Sequence, residues 1–254
     1  MHLSRRLLSA SIMRLADVVF PPVCAYCDCD LTPSEDVGAV RRLCEVCAPK
    51  LLEPPNHCCP KCAARVAATF QEAECPWCRE HGLRFDHAYA LGNYADDLRE
   101  AIIRLKHPNE DALSTALAET LCERYLAVWQ DAGFDIVVPV PMHWWRRVRQ
   151  GHNGPELTAA SVARRLAIRD YPRLLKRRRL TKPQAGLSHP QRQDNVRNAF
   201  AVRAGYRVDG ARVLLNDDIL TSGATCSEAA RTLKRAGAQR VDVAIFGRAQ
   251  REGG

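Results

Sequence analysis

No stretch of this 254-residue chain is an unbroken apolar run of the roughly 18 to 20 residues that cross a bilayer. It also has no GxxxxGKS/T loop and no GxGxxG after a strand, which argues against a nucleotide-hydrolysing P-loop and a dinucleotide fold. A recognisable export signal is missing too. The opening MHLSRRLLSASIMRLADVVFPP sets Arg5 and Arg6 before Leu7 and Leu8. Ser9, Ser11, Arg14 and Asp17 then interrupt any apolar region, and no cleavage site follows. The expectation is a cytoplasmic protein whose residues 1–22 form an amphipathic helix. Leu7, Leu8, Leu15, Val18 and Val19 would share its apolar face, packed on the protein itself rather than on a membrane.

What is present is enough for one α/β domain and a small module, with 46% apolar residues to fill a core. The formal charge of +8 suggests anionic partners. Eight cysteines holding two Zn²⁺ as thiolates would lower it to about +4, so basicity alone argues for phosphate-bearing small molecules as well as for nucleic acid.

Eight of the 12 cysteines form four CxxC pairs: Cys24 with Cys27, Cys44 with Cys47, Cys59 with Cys62, and Cys75 with Cys78. Each CxxC turn sets two thiolates on one side of a metal, and a second turn brought across by a hairpin completes a tetrahedron. Two such units in tandem predict a double zinc ribbon over residues 23–84, with Pro54, Pro55 and Pro60 as stiff links between its halves. All ligands would be thiolates, leaving no open position for a catalytic water, so the metals would be structural. Which pairs share a metal stays open, and Cys29 and Cys58 rival Cys27 and Cys59. A redox dithiol at CPWC lacks a surrounding βαβ unit, and a disulfide framework lacks an export signal. Cys122 and Cys226 read as packed residues.

From Phe85 the composition changes. Strands are expected at 87–94, 134–140, 213–215 and 240–246, and helices at 98–106, 111–129, from Glu156, and after Thr225. Strands alternating with helices predict an α/β fold with a mostly parallel sheet and helices on both faces over residues 85–250.

Residues 213 to 225 read VLLNDDILTSGAT. An apolar strand leads into Asp217 and Asp218 at its carboxyl end, where open α/β sheets bind ligands. Thr221, Ser222, Gly223, Ala224 and Thr225 then make a small hydroxyl-bearing turn into a helix, and a helix amino terminus attracts anions. Thr225 and Glu228 fit a capping box, and Gly237 fits a stop. The turn can hold a phosphate while the acids face a neighbouring diol, directly or through Mg²⁺.

This stretch resembles the PRPP signature of type I phosphoribosyltransferases: apolar residues, two acids, an apolar pair and T-S/T-G-x-T. Asn216 stands where that signature has an apolar residue. The match extends further. FPPVCAYC, IIRLKH, PVPMHWWRRVRQGHNGPEL and TKPQAGLSHPQRQDNVRNAF resemble the corresponding segments of the ComF/GntX family of phosphoribosyltransferase-like competence proteins. Gln150, His152, Gly154, His107 and Pro108 depart from that pattern.

The resemblance implies that Asp217 and Asp218 bind the ribose hydroxyls and act in catalysis, and that Thr221 to Thr225 bind the 5′-phosphate. Pyrophosphate would lie near Pro141, His143, Arg146, Arg147 and Arg149, with Lys106 matching a family lysine. It implies a PRPP- and magnesium-binding transferase of the glycosyltransferase class, with a role in DNA uptake and natural transformation. Protein partners of DNA uptake are possible on the same ground. A non-catalytic single-stranded DNA-binding or PRPP-sensing protein is the alternative. The basic run Lys176, Arg177, Arg178, Arg179, beside Thr181, Lys182 and Gln184, could extend a positive groove, and Trp144 and Trp145 could stack bases, although both features also fit ordinary surface and packing roles.

Overall fold

The computed structural model describes residues 21–31, 42–52, 57–68, 75–141, 154–181 and 188–250. The expected helix at 1–22 lies outside the described residues except for its last two positions, which are not helical. The chain divides into two units, Met1–Lys50 and Leu51–Gly254. The second cysteine quartet therefore shares a unit with the sheet, whereas the sequence groups it with the first quartet. Apolar packing is the reason. Cys59, Cys62, Ala63, Ala64 and Cys75 are buried in the same cluster as Val213, Leu215, Val243 and Ile245.

The two units open on the same local design. In the first, Val23 bridges Asp30 antiparallel, and a tight turn is closed by Cys24 N–H donating to Cys29 O (2.8 Å) and Asp28 N–H to Cys24 O (2.9 Å). In the second, Cys58 bridges Arg65, Cys59 N–H donates to Ala64 O (2.9 Å) and Ala63 N–H to Cys59 O (2.8 Å). The residue after each CxxC is left-handed, Asp28 at φ 61° and Ala63 at φ 54°. The short helices α1 (Cys47–Leu51) and α2 (Pro76–His81) carry the later cysteines.

The α/β part runs β1 (Ala88–Asn93), α3 (Asp96–Arg104), α4 (Asp111–Ala132), β2 (Ile136–Pro139), α5 (Gly154–Leu166) and β3 (Arg169–Asp170). It continues through β4 (Leu175–Arg177), α6 (His189–Val196), β5 (Phe200–Val202), β6 (Arg212–Leu220), α7 (Ala224–Arg235) and β7 (Arg240–Arg248). Five strands form a parallel sheet in the order β1-β7-β6-β2-β3, and β4 pairs antiparallel with β5 in a separate ribbon. The buried apolar runs of β6 and β7 are what a strand covered on both faces requires.

Helices α4 and α5 pack together and on the sheet, whereas α7 packs against β5, β6 and β7. Trp129 of α4 is fully buried against Tyr89 and Tyr125. Tyr125 donates to the carbonyl of Ala90 (2.8 Å), and Arg124 donates to those of Leu91 and Leu52, which anchors α4 to β1. Asp242, wholly buried on β7, is matched by the Arg240 fork (2.9 and 2.7 Å) and the Tyr89 hydroxyl (3.1 Å). A buried carboxyl group needs such partners to offset the loss of water.

Helix α7 stops where the sequence places its glycine. Gly237 N–H donates to Lys234 O and Ala238 N–H to Leu233 O, both at 3.1 Å, which satisfies the last-turn carbonyls. Gly237 sits at φ 104°, and a Cβ there would lie 2.8 Å from Asp209 Oδ1 and 3.1 Å from its Cα. Gly237→Ala is expected to cost about 2 kcal/mol or more in urea unfolding, because backbone strain and a clash with main chain add.

Candidate functional site

Strand β6 is longer than one of its neighbours. Its ladder with β2 ends at Pro139 opposite Asn216, while its ladder with β7 continues to Leu220 opposite Arg248. Asp217 and Asp218 thus lie within the strand rather than after it, at the level where β2 has finished. The crevice this leaves at the carboxyl edge is where ligands bind in open α/β sheets. Val140 N–H donates to Asn216 O (2.8 Å), so the chain leaving β2 at Pro141 departs beside the acid pair.

Both acids are partly exposed. Asp217 Oδ1 accepts the Asp218 amide (3.0 Å), and Asp218 Oδ1 accepts the Ile219 amide (2.9 Å). The Cys226 thiol donates to Asp217 Oδ2 at 3.5 Å. Burial, and after it the negative charge of Asp218, pushes the Asp217 carboxyl from its ordinary 3.8 up to about 8. Without a cation or ligand at the edge, Asp217 holds its proton at neutral pH. Burial, with Asp217 adding to it, also holds the Cys226 thiol well above its usual range.

Thr221 to Thr225 form the turn into α7, with Thr221 and Thr225 partly exposed and Ser222, Gly223 and Ala224 buried. Ser222 Oγ accepts the Ala224 amide (3.4 Å), and Ser227 N–H donates to Gly223 O (2.8 Å). The capping box expected at Thr225 and Glu228 is not formed. Gly223, left-handed at φ 79°, is the N-cap, and the helix starts one residue before Thr225. Glu228 is drawn elsewhere: it accepts the Asn198 amide (2.8 Å) and pairs with Arg231 (2.7 Å). A Cβ on Gly223 would meet Leu83 Cδ2 at 2.7 Å, so the turn lies tight against the segment that follows α2.

Of the residues expected at the pyrophosphate end, Pro141 is described, and its carbonyl accepts Arg177 Nε (2.8 Å). Lys106, half-buried, follows α3. His143, Arg146, Arg147 and Arg149 lie outside the described residues, as do Trp144, Trp145, Lys182 and Gln184. The basic run is partly committed to the fold. Arg177 also donates to Thr181 Oγ1 (2.7 Å), and Arg179 donates to the carbonyls of Asp194, Asn195 and Arg197 at the end of α6.

The cysteines gather into two clusters. Ligand atoms of Cys59, Cys62, Cys75 and Cys78 all lie within 4.8 Å of one another, with Cys59 to Cys78 at 3.7 Å and Cys62 to Cys75 at 3.6 Å. Zn–S bonds of about 2.3 Å in a tetrahedron give sulfur spacings of about 3.8 Å, so the donor set fits Zn²⁺. In the first unit Cys24, Cys27, Cys29 and Cys44 meet the same criterion, with Cys27 to Cys44 at 3.8 Å. Cys47, expected as a ligand, is buried beside this group, and its amide donates to Cys44 Sγ (3.4 Å). Five cysteines thus crowd a position for four. In the second cluster the Cys62 thiol, hydrogen-bonded to Cys59, lowers Cys59 to about 5, while Cys62 itself is pushed up by its bond to Cys59 and by burial. Such a cluster favours a cation that can hold all four as thiolates.

Two buried groups of this region carry no ligand signal in the sequence. Arg248, at the end of β7, carried no motif. Asn216 departs from the PRPP signature. It is completely buried, with Nδ2 donating to Ala244 O (3.2 Å) and Oδ1 without a hydrogen-bond partner.

Residues 154–253 match the phosphoribosyl transferase domain family. The chain is 29% identical to competence protein F of Haemophilus influenzae, over 79% of this chain and 88% of that protein. It is 29% identical, with the same coverage, to the DNA utilization protein YhgH of Escherichia coli K12. Competence protein ComFC of Bacillus subtilis is 23% identical over 85% of this chain and 90% of its own length.

Two measurements check the site. Purified protein is expected to carry two zinc ions per chain by elemental analysis, and Cys24→Ser or Cys62→Ser each to remove one. Asp217 is raised in the native state, so it contributes stability that is complete below about pH 4 and lost as pH rises towards 8. Between pH 6 and 8.5 the wild-type unfolding free energy should fall by about 1 to 2 kcal/mol relative to Asp217→Asn, read by urea titration.

Proposed function

Since this chain is of the ComF competence-protein family, with a phosphoribosyltransferase-like α/β fold and two four-cysteine clusters, we propose that it binds PRPP with Mg²⁺ at the carboxyl edge of β6. The observation that carries this is the acid pair standing beyond the end of β2, followed by a compact turn that opens α7. Asp217 and Asp218 face the two ribose hydroxyls. The amides and hydroxyls of Thr221 to Thr225 receive the 5′-phosphate, aided by the helix amino terminus. The segment from Pro141, with His143, Arg146, Arg147 and Arg149, and Lys106 receive the pyrophosphate. Mg²⁺, when bound with PRPP, offsets the charge of the diphosphate.

That binding mode suits transfer of the phosphoribosyl group. An acceptor nitrogen attacks C1 as the C1–O bond to pyrophosphate breaks, and the arginine-bearing segment holds the departing anion. Asp217, its proton held more tightly than usual before ligand arrives, can donate a hydrogen bond to a ribose hydroxyl, or lose that proton to solvent as a cation binds the carboxylate. The names of the relatives, competence and DNA utilization, support a place for this chemistry in the handling of incoming DNA. A purely nucleic-acid-binding role draws less support, because Arg177 and Arg179 direct their guanidinium groups at backbone carbonyls. No helix among the described residues is long and apolar enough to cross a membrane, and the proposed setting is the cytoplasm.

Calorimetry of PRPP with Mg²⁺ tests the assignment. The double variant Asp217→Asn, Asp218→Asn is expected to bind at least tenfold more weakly than wild type while keeping its zinc. Equal affinity in both proteins would reject the pocket. Pyrophosphate release in the presence of candidate bases or single-stranded DNA would then separate a transferase from a sensor.

A further inference from the structure

Arg248 is the most buried cation of the described residues, at 1% exposure. A guanidinium stays charged inside a protein and must find acceptors there. Nε donates to Cys62 O at 2.8 Å. Nη1 donates to Leu220 O (2.8 Å), Thr221 O (2.7 Å) and Ala249 O (2.6 Å). The guanidinium carbon lies 4.3 Å from the centre of the Trp77 ring. These partners divide into two sets. Cys62 belongs to the second quartet, and Trp77 lies between its members Cys75 and Cys78. Leu220 and Thr221 begin the turn that leads to α7. One buried side chain therefore holds the backbone of a metal-ligating cysteine and the backbone of the phosphate turn together.

Two further contacts join the same parts. Leu83, just after α2, packs so close to Gly223 that a Cβ there would meet its Cδ2 at 2.7 Å. Arg84 N–H donates to Ser227 Oγ (3.0 Å) in the first turn of α7. The Cys59–Cys62 knuckle keeps its own backbone hydrogen bonds, but no covalent bond ties its sulfurs to those of Cys75 and Cys78, and a shared ion would. Closing them on one ion fixes Cys62 O and Trp77, and through Arg248 fixes the carbonyls at the start of the turn.

We propose that Arg248 is a positioning residue through which the Cys59, Cys62, Cys75 and Cys78 centre sets the shape of the 221–225 turn, making the second metal part of the ligand site rather than a remote fold staple. The part of this that concerns PRPP rests on the function proposed above; the coupling between metal and turn does not. By linkage, a ligand that tightens on the turn must also tighten metal in the quartet, by the same factor.

Hydrogen exchange of the full chain tests the coupling without any ligand. Amides 222–226 are expected to exchange at least tenfold faster in Cys75→Ser, Cys78→Ser than in wild type, with the β6 core amides 213–215 unchanged. Removing the other centre by Cys24→Ser, Cys27→Ser should leave the turn as in wild type. Arg248→Met with zinc bound should loosen the same amides, and Arg248→Lys should restore part of their protection, while both keep two zinc ions. Should the cysteine variant unfold the whole unit, the zinc-loaded Arg248 variants decide alone. Turn exchange equal to wild type in the Arg248 variants, or equal loosening on loss of the first centre, would overturn the proposal. In a second arm, PRPP with Mg²⁺ should slow zinc release to a chromogenic chelator from wild type but not from Arg248→Met. Exchange coupling without that PRPP effect would count against the proposed ligand and leave the coupling intact.

Discussion

The unequal reach of the strands beside β6 is the constraint on which the candidate site depends. With the β2 ladder ending opposite Asn216 of β6 and the β7 ladder continuing opposite Leu220, the backbone of Asp217 and Asp218 is held on one side and open on the other. Rigidity comes from the β7 ladder and access from the early end of β2. Two carboxylates one residue apart could not be kept this close to a buried edge on a free loop without turning to solvent. The raised proton affinity of Asp217 follows from the same arrangement, since burial and the neighbouring charge both act on its carboxyl.

Much of this was legible in the sequence because the signals were local. The runs that became β1, α4, β2, α5 and β7 carry their own periodicity and end signals, and Gly237 stops α7 by the hydrogen bonds its position implies. The order of apolar strand, acid pair and small turn can be read from 213 to 225 because each part acts on its immediate neighbour. What could not be read depends on distant partners. Glu228 looks like a capping residue until Arg231 and the Asn198 amide are brought to it. Cys29 and Cys47 are separated by the three-dimensional course of the first knuckle and not by spacing. Arg248 has no motif at all, and its partners at Cys62 and Thr221 lie far away in sequence.

The cysteine clusters show the same division between local form and long-range role. Both knuckles use the same pair of backbone hydrogen bonds and the same left-handed residue after the CxxC. The second lies in the main apolar cluster, beneath the turn into α7. Identical local chemistry can therefore serve different ends, and a quartet whose sulfur spacing fits zinc can also be a wall of the neighbouring site.

Strand β1 closes one margin of the sheet, and its consecutive carbonyls at Ala90 and Leu91, which point to opposite sides of the strand, are both taken by side chains of α4. At the other margin β3 is only two residues long. A foreign extended segment would find a plugged acceptor on one side and almost no template on the other. The β3 margin in particular is too short to template a pairing partner.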